Sequence, residues 1–228
     1  MTSRRDERPS DSPWVHRITR VCYDRDTRDV TTPDGCWDIV VMRMNGRVQM
    51  LQTGLITRPV TLDYGAGDEY LAISFKPGVF RPRLPGQGMV DRGHLLPSEG
   101  RRLAPGSFWL EQDRLEIPTF DNAEGLVDRL VRRELIMRDE IVEGVVEGRP
   151  RAISPRSVQR HFLQTLGMTA KHLEQIRRAH RAVELLGQGR RVVEVALDLG
   201  YADQPHLTRS LRAIMGKTPG EIVQAIRR

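Results

Sequence analysis

The sequence predicts an α+β chain, with a β-rich, barrel-like N-terminal region followed by an all-α region built on a repeated helical unit. Three observations predict it. Short β-branched and aromatic runs, punctuated by Gly and Pro, recur through residues 14–118. After Asp121 the apolar spacing changes to a helical period. Residues 154–170 align without a gap on residues 203–219, at an offset of 49. Charge divides the same way. Residues 149–228 hold 15 Arg plus Lys against 6 Asp plus Glu, a net +9, whereas residues 1–148 stand at −3. A basic third behind a slightly acidic front fits a polyanion-binding module joined to a second unit.

The elements follow in chain order. Residues 1–13 are polar, so a disordered tail is expected there, and no apolar stretch follows that would make a secretory signal. The first strand signal is the run from Cys36 to Met42, entered through the turn Pro33-Asp34-Gly35. Asn45-Gly46 then predicts a tight hairpin into a second strand at Val48 to Leu51. A third strand runs from Tyr70 to Phe75 and is closed by Lys76-Pro77-Gly78. Many short strands of this kind build a barrel or a sandwich, and residues 14–118 are expected to be one effector or dimerisation domain. Residues 81–118 are rich in Pro and Gly and predict no definite element. From 119 to 228 the chain reads as helix and turn, beginning with a stripe of Leu126, Val127, Leu130, Val131 and Leu135.

In the repeat, Ser154 falls on Asp203, both of them N-cap residues. Val158 falls on Leu207 and Phe162 on Leu211, four apart on one helix face. Arg160 falls on Arg209, Gly167 on Gly216 and Thr169 on Thr218. Each copy is thus a capped helix of about three turns, stopped by a Gly and followed by a Thr that caps the next helix. Ahead of the second copy, Val192, Val193, Val195, Ala196 and Leu199 stripe a shorter helix, and Gly200-Tyr201-Ala202 makes the turn. A small residue, a turn Gly four positions on and then a capped amphipathic helix form the pattern of a DNA-reading helix-turn-helix. Residues 169–186 join the copies as one helix, buried along Leu173, Ile176, Ala179, Val183 and Leu186. At 1.5 Å per residue its length is about 27 Å, enough with its flanking turns to hold two reading helices roughly one duplex turn apart.

These residues resemble the AraC/XylS family of bacterial transcription regulators over the last 75 to 90 residues. The resemblance is densest from Val195 to Gln204 and continues through Leu207, Arg209, Leu211, Gly216 and Thr218-Pro219. It implies a double helix-turn-helix DNA-binding domain within residues 119–228, behind an N-terminal domain that binds an effector or dimerises. Double-stranded DNA is the partner it implies, with RNA polymerase, a small-molecule effector and a second copy of the chain as further partners. Activator function in the cytoplasm is the corresponding expectation, and the two cysteines, Cys22 and Cys36, are too few for a disulfide framework. The chain departs from the pattern ahead of Ser154. A gapless alignment would put Pro150 inside a helix, so that helix is expected at residues 139–147, with a longer turn at 148–153. Pro205, in the first turn of the second reading helix, cannot hydrogen-bond a base.

Candidate site residues follow from these placements. Arg156, Ser157, Gln159 and Arg160 on the first reading helix, and Gln204, His206, Thr208 and Arg209 on the second, are candidates for DNA contact. Arg pairs with guanine and Gln with adenine in the major groove. The alternative is a solvated helix face, and for Arg160 and Arg209 an ion pair with a carboxylate. Arg177, Arg178, Arg190 and Arg191 are candidates for phosphate contact, which positions a protein without reading sequence. Trp37, Tyr64, Tyr70 and Phe75 are either effector-pocket walls or core. No metal site or cofactor is expected, because His16 and His94 stand alone and no C-x-x-C, phosphate loop, G-x-S-x-G or H-E-x-x-H occurs. For the same reason no enzymatic activity is expected. The rival readings are a barrel-type enzyme with a DNA-targeting domain, and an architectural DNA- or partner-binding protein without an effector.

Overall fold

The computed structural model describes residues 3–98, 106–149 and 152–226. Its N-terminal part is strand-rich. Strands β1 (Ser3–Arg8), β2 (Val15–Tyr23), β4 (Asp38–Met44), β5 (Arg47–Thr53), β7 (Glu69–Phe75) and β9 (Gly93–Leu96) form one antiparallel sheet in the order β1-β2-β7-β4-β5-β9. Three two-stranded ribbons accompany it: β3 (Thr27–Thr31) with β6 (Val60–Tyr64), β8 (Val79–Phe80) with β12 (Met137–Arg138), and β10 (Ser107–Leu110) with β11 (Asp113–Glu116). Ile18, Ile39, Val41, Met50, Leu71, Ile73 and Phe75 fill the core of this part. The hairpin between β4 and β5 turns at Asn45 and Gly46, both at positive φ (52° and 74°), as a tight primed turn requires.

The tail expected to be disordered is ordered from Ser3 onward, as strand β1. Its polar sequence has no apolar alternation to reveal it. Main-chain pairing with β2 holds it, together with Asp6 opposite Arg20 (2.6 Å) and an Arg8–Glu124 bridge (2.5 Å). The latter bridge also ties helix α1 (Ala123–Arg132) to the sheet side of the molecule. Arg133 pairs with Asp113 at 2.6 Å, and β12 pairs with β8. Residues 119–138, expected to begin the helical domain, therefore make these contacts with the strand-rich part. β12 is also a strand where only helix and turn were expected. Its two residues pair through the backbone and carry no periodic signal.

Beyond it, helices α2 (Glu140–Val146), α3 (Pro155–Leu166), α4 (Ala170–Gly187), α5 (Val192–Asp198), α6 (Gln204–Met215) and α7 (Pro219–Ile226) follow in order. The 18-residue α4 is the hub: it packs against α3, α5, α6 and α7. Its buried face is Leu173, Ile176, Ala179, Ala182 and Leu186. The strand-rich part sits directly on this hub. His180 Nε2 donates to the Pro33 carbonyl at 2.6 Å, and Gly35 packs against the tip of the Leu173 side chain. Among the described residues no helix is long and apolar enough to cross a membrane.

Candidate nucleic-acid interface

Two helix-turn-helix units carry the candidate site. In the second, α5 ends through Gly200 N–H to Leu197 O (3.0 Å) and Tyr201 N–H to Ala196 O (2.9 Å). In the first, α2 ends through Gly148 N–H to Val145 O (3.2 Å) and Arg149 N–H to Gly144 O (2.6 Å). These bonds correspond one to one at an offset of 52. Gly148 and Gly200 share a positive φ (72° and 68°), which L side chains resist. Gly144 takes the place of Ala196, and a Cβ there would lie 2.8 Å from Arg149 O. The reading helices correspond at 49 instead. The first turn is therefore three residues longer than the second, and Pro150 and Arg151, within it, lie outside the described residues. The small-residue and turn-Gly pattern thus exists in both units, and allowing a three-residue gap in the sequence repeat reveals it.

Matching caps set the two reading helices. Ser154 Oγ accepts from Ser157 N–H (3.2 Å), and Asp203 Oδ1 accepts from His206 N–H (2.6 Å). At the far ends Gly167 and Gly216 adopt left-handed φ values of 74° and 71°. Phe162 and Leu166 in α3, and Leu207, Leu211 and Met215 in α6, face the core. The opposite faces of both helices are left to solvent.

The first unit is pinned by one carboxylate. Asp139 Oδ1 caps α2 by accepting from Ile141 and Val142 N–H, at 3.0 and 3.2 Å. Its Oδ2 accepts from His161 Nδ1 (2.7 Å) and Thr165 Oγ1 (2.9 Å), both on α3. Burial alone would raise this carboxyl's pKa. The hydrogen bonds from His161, Val142 and Thr165 outweigh it and hold the group below the ordinary carboxylate value.

On α3, Arg156, Gln159 and Arg160 are exposed and Ser157 is half-buried. All four line one open groove of about 590 Å³, with Ser154, Leu163, Gln164 and Gln87. Gln87 belongs to the short 3-10 turn Gly86–Gly88 of the strand-rich part. Sequence periodicity gives no signal for it. On α6, Gln204 and Arg209 are exposed. His206 and Thr208 are half-buried and internally bonded. His206 Nδ1 accepts from Ala202 N–H at 3.3 Å, its ring meets Tyr201 edge-on at 5.2 Å, and Thr208 Oγ1 donates to Gln204 O. His206 thus braces the turn it follows. No ion pair holds Arg156, Arg160 or Arg209 among the described residues, so the alternative of a carboxylate partner for Arg160 and Arg209 has no support there.

The four arginines expected at phosphates all have partners within the chain. Arg177 donates to Val146 O at the C-terminus of α2 (2.6 Å), and Arg178 lies 4.3 Å from the Tyr201 ring centroid. Arg190 bridges to Glu194 and Asp198, and Arg191 to Glu194. The Arg190 and Arg191 pairs are exposed and worth little in water, so a phosphate can replace them. Arg178 is committed to packing.

The four aromatic side chains weighed as effector walls do not converge. Trp37 stacks on Phe75 at 4.1 Å and donates from Nε1 to Val79 O, and both rings are core. Tyr64 and Tyr70 cluster with Tyr23, at ring distances of 4.3 to 6.3 Å. The larger polar cleft, about 680 Å³, lies where the strand-rich part meets α2 and α4. His16, Arg17, Asp34, Lys76, Arg138, Glu143, Arg177 and His180 line it. Sequence reading missed it because its walls come from segments more than a hundred residues apart. Among the described residues no cluster of His, Cys, Asp and Glu is arranged to hold a metal ion.

Residues 151–225 match the family model of a helix-turn-helix domain, and this C-terminal region is of the AraC type. The match supports a DNA-binding transcription regulator. Among solved structures, a 1.65 Å structure of ToxT from Vibrio cholerae is 8% identical, over 100% of this chain and 98% of its own, with a TM-score of 0.44. An apo variant of ToxT from the same organism is 10% identical, over 92% of this chain and 97% of its own, with a TM-score of 0.41. No curated protein sequence matches the chain.

Proposed function

We propose that this chain, whose C-terminal third is an AraC-type helix-turn-helix domain, is a sequence-specific transcription regulator that reads two successive major-groove segments of duplex DNA. The observation that carries the reading is the paired architecture. Both units end their first helix with the same hydrogen bonds, and both cap and stop their second helix the same way. Across them runs the 18-residue α4, about 27 Å long, which with its flanking turns can hold the two reading helices about one duplex turn apart. Arg156, Gln159 and Arg160 on α3, and Gln204 and Arg209 on α6, are the exposed side chains suited to base edges and phosphates. Arg190 and Arg191 supply backbone contacts once their ion pairs exchange.

Control acts through the strand-rich part, by an effector or by dimerisation. Two features support this. The cleft of about 680 Å³ is walled by both parts of the chain, so a molecule seated in it would bias their arrangement. At the β9 margin of the six-stranded sheet Leu95 is 64% exposed, an apolar surface that a second copy can cover.

The test is selection of bound duplexes from a random pool by the purified full chain, followed by footprinting on the enriched site. Two clusters of base protection about one helical turn apart are expected. No enrichment would overturn the reading. A single cluster of roughly 5 bp would restrict it to one unit.

A further inference from the structure

We infer that the strand-rich part supplies a third DNA-contacting element, the turn at residues 85–91, with Gln87 at the phosphate backbone beside α3. The inference rests on the reading above and extends its interface beyond the helical region.

Gln87 lines the same groove as Arg156, Ser157, Gln159, Arg160 and Gln164, so whatever seats against the reading face of α3 also meets Gln87. The helix has 12 residues and spans about 18 Å, whereas the major groove is about 12 Å wide. A helix inserted by its N-terminal turns therefore leaves the groove near its C-terminal end, at the sugar-phosphate rim. The turn is docked at that end. A Cβ on Gly86 would lie 2.5 Å from Gly167 N and 2.6 Å from Thr165 O, so backbone meets backbone there.

The turn is also braced. Gly88 N–H bonds Pro85 O (3.1 Å), Met89 N–H bonds Gly86 O (2.9 Å), and the Met89 side chain is buried. It meets DNA as an extension of α3. Its chemistry suits a polyanion. Gln87 is exposed and its amide can donate to a phosphate oxygen. Arg92 flanks the turn and is exposed, and Arg83, exposed on the other side, is paired with Glu111 at 2.8 Å. The turn's one carboxylate, Asp91, is taken up by the Thr57 N–H and hydroxyl, both at 2.7 Å.

The experiment measures affinity of the full chain for its selected duplex over a range of salt, for wild type and for Gln87→Lys, Gln87→Glu and Gln87→Ala. Gln49→Lys, at an exposed position of strand β5, controls for the added charge. At low salt Gln87→Lys is expected to bind about 3- to 10-fold tighter, with a log–log salt slope steeper by about 0.9. Gln87→Glu should bind at least 10-fold weaker and Gln87→Ala about 3-fold weaker, on every sequence alike. Three outcomes overturn the inference: Gln87 variants that match wild type, a Gln49→Lys gain equal to that of Gln87→Lys, or a tighter Gln87→Ala, which would make the turn an obstacle to DNA. Failure of the underlying reading looks different, because wild type itself would then bind no duplex.

Discussion

His161 Nδ1 lies 2.7 Å from Asp139 Oδ2, and this bond fastens the middle of α3 to the start of α2. One carboxylate thereby sets the angle at which the first reading helix leaves its unit. The turn between α2 and α3 is three residues longer than its counterpart, so this side-chain tie does work that a short turn does in the second unit.

Replacing Asp139 by Ala removes a cap and two further hydrogen bonds. The expected loss is about 2–3 kcal/mol of stability. Footprinting should show the first protection cluster fading while the second persists. Asp139→Asn retains an oxygen for the cap and should recover most of the loss. The pH dependence has a definite sign. The folded-state pKa of this carboxyl lies below its ordinary 3.8, so its contribution is full above about pH 4 and disappears as pH falls through the lowered value. The difference in melting temperature between wild type and Asp139→Asn should shrink toward zero below pH 4.

Asp38 has the opposite sign. Burial, aided by the negative charge of Asp34, pushes its pKa up to about 6, although Thr53 Oγ1 donates to it at 3.2 Å. Ionising it disfavours the folded state, so stability from this group falls between about pH 4 and pH 6 and stays lower above. Asp38→Asn should raise stability at pH 8 by about 1–2 kcal/mol and change little at pH 4. Thermal melts at the two pH values check both halves.

Gly86→Ala tests the seam between the strand-rich part and α3. The new methyl would strike the Gly167 and Thr165 backbone, which yields less readily than a side chain. A cost of about 1–3 kcal/mol is expected, with release of the turn from α3. Hydrogen exchange at Gly167 N–H and at the backbone of residues 85–91 would report that release. Unchanged protection there would refute it.

Readers and positioners separate by base preference. Gln159→Ala or Arg156→Ala should cost about 1–3 kcal/mol on the preferred site and relax base choice at one position. Arg191→Ala should weaken binding to all sequences alike and lower the salt slope by about one. The loss of affinity will be partly offset, because wild-type Arg191 must first leave Glu194. Affinities for a panel of single-base variants at two salt concentrations distinguish the two patterns. His206→Ala is expected to act through stability, since its ring is spent on Ala202 and Tyr201.

Short-range chemistry is legible in the order of the residues. The caps at Ser154, Thr169 and Asp203, the stops at Gly167 and Gly216, the turn at Asn45-Gly46 and the buried stripe of α4 all involve residues within a few positions of one another. Their backbone preferences and periodicities therefore show in the letters. Features that depend on segments far apart in the chain emerge only when it folds. Strand β1 exists because β2 offers it a partner, not because its own polar residues favour one. Trp37 and Phe75 became core because they stack on each other and Trp37 bonds to Val79. Arg177 and Arg178, solvent-facing by helical phase, were drawn to Val146 and Tyr201. Gln87 joined the groove of α3 because two glycines, 81 positions apart, let their backbones touch. A contact of that kind is set by packing volume and chain path, and neither is written in the pattern of either segment.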